Sequence, residues 1–194
     1  MKRKAIVGSL GLVALVIIYF LAFKNTSTTY QLGQKVDSLN GVYVYYNGST
    51  NRVSGRHLTD DSYNLGLKYQ CVEFVKRYYY EYLDHKMPDS YGHAKDFFNP
   101  SLTDGQLNKQ RNLIQYSNPS TSKSKVNDLL IFAPTAFNKY GHVAIVAKVS
   151  HREVEIIQQN AGKFASTRAS YDLVKNGSQW YINQRRIVGW LRKE

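Results

Sequence analysis

Cysteine is nearly absent, with Cys71 alone among 194 residues. No intramolecular disulfide can form, and no cluster of thiolates can hold a structural zinc or an iron–sulfur centre. Acidic residues are also few: 14 Asp and Glu stand against 26 Lys and Arg, a formal charge of +12. With 43% apolar residues, that balance excludes a disordered acidic tail or a fibrous repeat. There is no internal repeat. The Lys and Arg form no stripe and no known nucleic-acid-binding module, so no nucleic-acid partner is expected. The length suits one domain with a core large enough to fold alone.

Charge is missing altogether from Ala5 to Phe23, AIVGSLGLVALVIIYFLAF, a run bounded by Lys2-Arg3-Lys4 and by Lys24. At about 1.5 Å per residue its 19 residues make a helix roughly 28 Å long, near the thickness of a bilayer's hydrocarbon core. A signal-peptide core is usually shorter, about 7 to 15 residues, and Phe20-Leu21-Ala22 fits a cleavage site badly. Residues 1–24 are therefore expected to be an uncleaved transmembrane signal anchor, 25–36 a polar linker, and 37–194 the working domain. Three basic residues before the span and one after it predict a single-pass protein with a cytoplasmic N-terminus and an extracytoplasmic domain, periplasmic or at the cell surface. Leaving out Lys2, Arg3, Lys4 and Lys24, the remainder has 22 basic against 14 acidic residues, or +8. Such a surface favours anionic partners, here wall polymers or lipid head groups, and a monomer is expected. In an oxidising compartment a lone thiol is either shielded or has a job. The plain alternative is a buried Cys that serves as a small hydrophobe.

From Cys71 to His85 the spacing is helical: Cys71, Phe74, Val75, Tyr78 and Tyr82 share one face, while Glu73, Lys76, Arg77, Glu81 and Asp84 lie mostly on the other. Glu73 and Arg77 can pair at i and i+4, and Pro88 closes the segment downstream. Strands are predicted over 41–46, ending at Asn47-Gly48, and over 128–132, 142–149, 154–159 and 186–191. SNPSTSKSK, residues 117–125, reads as a mobile loop. Strands before and after one strong helix predict an α+β domain, a mainly antiparallel sheet packed on that helix.

Cys71 stands at the predicted helix start, where aligned peptide dipoles favour a thiolate. Glu73 partly opposes this, and no Ser, Thr, Asp or Asn directly precedes Cys71 as a cap. A nucleophilic thiol needs a base and a group that holds the base's tautomer. His57, His85, His93 and His151 fall in predicted loops, turns or a helix end, where exposure is the ordinary reading. His142 instead heads the apolar strand Gly141-His142-Val143-Ala144-Ile145-Val146. With a turn at Ser150-His151-Arg152, Val149 faces Glu153, His142 faces Asn160, and Gln158 is its diagonal neighbour. Alternation then puts His142, Ala144, Val146, Val154, Ile156, Gln158 and Asn160 on one face. Either side-chain carbonyl, of Gln158 or of Asn160, can accept from the second ring nitrogen. Alternatively, Gln-Gln-Asn merely ends a strand.

Tyr69-Gln70-Cys71-Val72-Glu73-Phe74-Val75-Lys76-Arg77, Asp128-Leu129-Leu130-Ile131-Phe132, Gly141-His142-Val143-Ala144-Ile145-Val146 and Ile157-Gln158-Gln159-Asn160, in this order and spacing, resemble the CHAP family of cysteine- and histidine-dependent amidohydrolases and peptidases. The sequence is similar in particular to the amidase domain of glutathionylspermidine synthetase/amidase, over about residues 40–192. The resemblance implies a papain-like fold without a cofactor or metal. It implies that Cys71 attacks an amide carbonyl, that His142 takes the thiol proton and returns it to the leaving amine, and that an acyl-enzyme is then hydrolysed. It makes the Cys71 N–H an oxyanion donor and the Gln70 side chain a second candidate. Relatives commonly carry Glu, Asp or Asn as the orienting residue, where this chain has Gln158, with Asn160 the alternative. A neutral amide orients the ring but does not stabilise an imidazolium as a carboxylate does. For an anchored extracytoplasmic amidase the expected substrate is peptidoglycan, whose groove a chain with 16 Tyr would suit. The alternatives are a small amide such as glutathionylspermidine, or a catalytically weak wall-binding module. Tyr78, Tyr79, Tyr80 and Tyr82 either line a groove or pack.

Overall fold

The computed structural model describes residues 30–162 and 165–194. Among them is one α-helix, α1 (Cys71–Glu81), whose apolar positions Phe74, Val75 and Tyr78 recur at helical spacing. Its C-cap, Tyr82, returns a backbone bond to Tyr78 O, and Asp84 then takes a left-handed φ of 47°. That turn ends the helix short of the His85 predicted from the periodicity.

Twelve strands accompany it: β1 (Lys35–Leu39), β2 (Val42–Tyr45), β3 (Arg56–Leu58), β4 (Asn64–Leu67), β5 (Gln106–Asn108), β6 (Leu113–Ser117), β7 (Leu129–Phe132), β8 (His142–Val149), β9 (Glu153–Ile157), β10 (Arg168–Asn176), β11 (Gln179–Ile182) and β12 (Ile187–Arg192). Eight form an antiparallel sheet in the order β11-β10-β9-β8-β7-β12-β6-β5. The hairpins β1–β2 and β3–β4 stand apart from it.

The central strands are apolar on both faces because both faces are covered. Leu129, Ile131, Val143, Ile145 and Ile157 pack with Phe74, Val75, Tyr78 and Tyr79 of α1. On the reverse face Leu130, Phe132, Ala144, Val146, Val154 and Ile156 pack with Trp190. At about 1.5–3 kcal/mol per large side chain, these two layers supply the main driving force for folding.

The chain is corrected from its expected architecture in several places. Among the described residues no helix is long and apolar enough to cross a membrane. The helix that is present has 11 residues, about 16 Å, and carries Glu73, Lys76, Arg77 and Glu81. This overturns the papain-like fold preceded by a membrane span, and with it the single-pass, extracytoplasmic placement. The run Ala5 to Phe23, on which both rested, lies outside the described residues. The fold is one helix on a large antiparallel sheet, and β1 already begins at Lys35, inside the expected linker.

Of the polar face of α1, only Glu81 at its end is exposed. Glu73, Lys76 and Arg77 are all buried. Strand β4 lies against that face so closely that a Cβ on Gly66 (φ 129°) would stand 3.2 Å from Glu73 N and Cα. Each buried charge finds partners there: Arg77 reaches Tyr43 O at 2.7 Å, and Lys76 reaches Ser90 O at 2.7 Å and Asn64 O. Tyr78 and Tyr79 pack rather than line a groove, while Tyr82 is exposed. Tyr78 and Tyr79 are fully buried, and the Tyr78 hydroxyl bonds Asn40 and Asn127, each at 2.7 Å. The 117–125 segment is pinned, with Ser120 and Ser124 buried and Arg192 donating to Ser122 Oγ and Lys123 O, both at 2.9 Å.

Candidate active site

Gln70 is the N-cap of α1, with extended φ −85° and ψ 163°, so Cys71 is the first helical residue. Here the first N–H groups lack intrahelical partners and the dipole favours a negative sulfur. The side chain of Cys71 is half-buried against the helix-side core. His142, by alternation with Ala144 and Val146, belongs to the opposite face of the sheet.

Cys71 comes up to the residue beside His142 because β9 stops early. Ile157 is its last residue and lies opposite Ile145, which leaves the head of β8 without a neighbour on that side. Val146 N donates to Asp128 O toward β7 at 2.9 Å, and alternation turns the Val143 N–H toward the vacated side. There it bonds the Cys71 sulfur. The thiol thus reaches the residue next to His142 through the gap left by β9.

Gly141, just before His142, has φ 75°, and a Cβ there would lie 2.7 Å from Phe132 O, so only glycine fits. His142 Nε2 is 3.0 Å from Gln158 Oε1, while Gln158 Nε2 donates to Ser166 O at 2.9 Å. The second bond fixes which end of the amide faces the ring. His142 therefore donates from Nε2, and its Nδ1 is left as a basic lone pair. Burial, opposed by the Gln158 bond and aided by the charge of Arg186, lowers the His142 pKa to about 4. Burial also raises the Cys71 thiol, although the N–H groups of Val143, Val72 and Cys71 itself favour the thiolate. Both shifts favour the neutral thiol and the neutral imidazole.

The predicted register needs one correction. Near the turn the pairing is one residue off, with Val149 opposite Val154, but beyond a bulge between Val146 and Lys148 it takes the predicted register, Val146 opposite Ile156 and Ile145 opposite Ile157; the chain then leaves the sheet before Asn160, whose φ is 57°. Asn160 does not face His142. Its Nδ2 donates to Gln70 Oε1 at 2.6 Å and to Thr50 O at 2.9 Å. Gln70 in turn donates from Nε2 to Arg52 O (2.7 Å) and Thr50 O (3.2 Å). Both amide protons of Gln70 are thus used on the 50–52 loop.

Sequence reasoning missed the layer beneath. Gln159 is fully buried; its Nε2 donates to Gln70 O (3.1 Å) and Glu73 Oε2 (3.0 Å), and its Oε1 accepts from Tyr45 N (2.7 Å). Glu73 also accepts from His57 Nδ1 at 2.8 Å and Arg77 Nε at 2.7 Å. Burial would raise this carboxyl, but the bonds from His57, Arg77 and Gln159 outweigh it and hold its pKa below the usual range. Only the Glu73–Arg77 spacing was readable; nothing local marks His57 or Gln159. Two of the histidines expected to be exposed are structural: His57 in this network, and the buried His85, whose Nε2 is 2.9 Å from Arg111 O. His93 and His151 are exposed.

Among the described residues no group of three or more His, Cys, Asp or Glu is placed to hold a metal ion. Cavities of about 300 and 400 Å³, one beside Lys125 and Arg192 and one beside Arg152 and Trp180, border neither Cys71 nor His142.

The sequence pattern of the CHAP domain matches residues 61–160, a span that contains Cys71, His142, Gln158 and Asn160. Trypanothione synthetase of Crithidia fasciculata is 30% identical over 128 residues, 66% of this chain and 20% of that protein. The chain thus spans about a fifth of the length of that relative.

Proposed function

We propose, proceeding from the fact that this chain belongs to the CHAP domain family, that it hydrolyses an amide through Cys71, with His142 as base and Gln158 as the residue that orients it. A thiol-dependent amidase or related hydrolase is the activity that membership and the relative support. The catalytic unit is the body from Leu32 to Glu194.

The observation that carries the assignment of roles is the Ser166–Gln158–His142 chain of hydrogen bonds, which leaves Nδ1 free while the Cys71 sulfur sits at the next residue's N–H. Nδ1 accepts the thiol proton as sulfur attacks the carbonyl carbon. The oxyanion forms beside the Cys71 N–H at the start of α1. The proton then passes from His142 to the leaving amine, and water repeats the sequence on the thioester. Because both groups rest neutral, proton transfer accompanies attack instead of preceding it. Asn160 and Gln70 hold the 50–52 loop beside the nucleophile.

For the substrate, a peptide amide of the kind found in peptidoglycan is supported by the basic balance of the chain. A small conjugate amide is favoured by the similarity to trypanothione synthetase. The test is to incubate the full chain and its Cys71→Ala and His142→Ala variants with purified peptidoglycan and with glutathionylspermidine, and to assay released amines. Release from one substrate that disappears in Cys71→Ala and falls at least about a thousandfold in His142→Ala is expected. Release that persists without the thiol would sink the proposal.

A further inference from the structure

Across the Phe132 ring from His142 stands a cation without a counter-ion among the described residues. Arg186 ends the connection between β11 and β12; Ala133 N donates to its carbonyl at 2.7 Å, and its own N–H reaches Gln184 Oε1 at 3.2 Å. In the side chain, Nη2 donates to Ala133 O at 3.1 Å, while the buried Nε has no acceptor. Arg77, Arg168 and Arg192 each meet a carboxylate, but among the described residues Arg186 makes no ion pair. A guanidinium does not shed its charge, and a buried N–H without an acceptor is costly. Such a group is poised for an anion that arrives from outside.

The position of Arg186 relative to the dyad is defined by rings. Its guanidinium carbon is 6.0 Å from the centre of the Phe132 ring, which lies 5.6 Å from that of His142, and Tyr171 meets the same Phe132 ring edge-on at 6.3 Å. The charge of Arg186 acts on His142 and on Tyr171. Arg186 therefore stands on the histidine side of the dyad. A leaving amine departs on that side, because His142 protonates it.

We propose that Arg186 binds a carboxylate carried by the leaving amine of the substrate, through its uncommitted Nε and the remaining guanidinium edge. This rests on the amidase reading and narrows it. The favoured substrate is an amide whose amine product is an amino acid or a peptide with a nearby carboxylate, and a polyamine leaving group is disfavoured by like charge. Arginine suits this task because its fork offers two parallel N–H groups to one carboxylate.

The test uses alkylation of Cys71 in the full chain, which needs an accessible thiol but no amide cleavage. Iodoacetyl derivatives of glycine, β-alanine and γ-aminobutyrate are compared with their carboxamides, so that the spacer varies the reach of the carboxylate. For at least one spacer the carboxylate-to-carboxamide rate ratio is expected to exceed that of a free thiol by at least about tenfold, the low end for a charge-assisted hydrogen bond. The excess should vanish in Arg186→Gln and persist in part in Arg186→Lys. A wild-type ratio equal to that of a free thiol for every spacer overturns the proposal, whatever the folding of the variants. So does an excess that survives in Arg186→Gln, since the general positive field of the surface then explains it. Failure of the amidase reading looks different: neither amide substrate is cut although the Arg186-dependent ratio is present.

Discussion

The amide of Gln158 donates to Ser166 O and accepts from His142 Nε2, so its orientation is fixed from both ends. The ring is held in one tautomer by a neutral group, and burial is then free to keep the imidazole uncharged. A carboxylate at this position would reverse the preference, since an adjacent negative charge favours imidazolium and, through it, thiolate. Gln158→Glu is expected to raise the His142 pKa from about 4 and to speed iodoacetamide alkylation of Cys71 at pH 6–7 by about tenfold or more. In the wild type the alkylation rate should climb with pH past the usual thiol range of about 8–9, because burial raises Cys71. A wild-type plateau already reached at pH 6 would show a preformed ion pair and contradict the neutral resting state.

At the scale of elements, the site depends on holding the start of α1 against the end of β9. Gln159 makes that joint through Gln70 O, Glu73 and Tyr45 N. Gln159→Ala removes the acceptor of Tyr45 N and a donor to Glu73 Oε2 and is expected to cost about 2–4 kcal/mol, read from chemical denaturation. Catalysis should fall with it, chiefly in kcat, because the variant loosens the spacing of the dyad without removing a substrate contact. Strand β4 has a comparable constraint at Gly66. Its φ of 129° and the 3.2 Å approach to Glu73 make Gly66→Ala costly, and a melting temperature unchanged by it would show that β4 does not press on the helix as closely as described. The helix and the central strands were legible because their apolar spacing is local; residues 142–149 match β8 in full. The burial of Glu73, Lys76 and Arg77 was not legible, because the covering strand β4 is paired through β3 and reaches the helix only in three dimensions.

For the whole molecule, His142 makes stability depend on pH. Its folded pKa of about 4 lies below the unfolded value near 6.5, so the folded state binds fewer protons between these limits. The contribution is fully present above pH 6.5 and is lost as pH falls through the folded value, reaching about 3 kcal/mol below pH 4. Glu73, also depressed, adds a loss of the same sign at lower pH. Denaturant midpoints measured from pH 7 to pH 4 should therefore fall steeply in the wild type and less so in His142→Asn. Equal slopes in the two proteins would exclude His142 as the source.

The sequence by itself determined the candidates. A lone cysteine at a helix start, a Gly-His at the head of an apolar strand and a Gln at its diagonal are local patterns of spacing, and spacing survives unfolding. It also determined that positive charge outweighs negative. Which amide meets the imidazole was decided only in the tertiary structure, where the early end of β9 lets Asn160 turn toward Gln70 and leaves Gln158 beside His142. The same early end opens the sheet edge through which the thiol reaches Val143. Gln159, Glu73 and Arg186 gained their places in the same way, by contacts between distant segments that no local pattern encodes. Their roles follow from burial, since only in a buried setting does a shared hydrogen bond or an unpaired charge weigh heavily enough to direct chemistry.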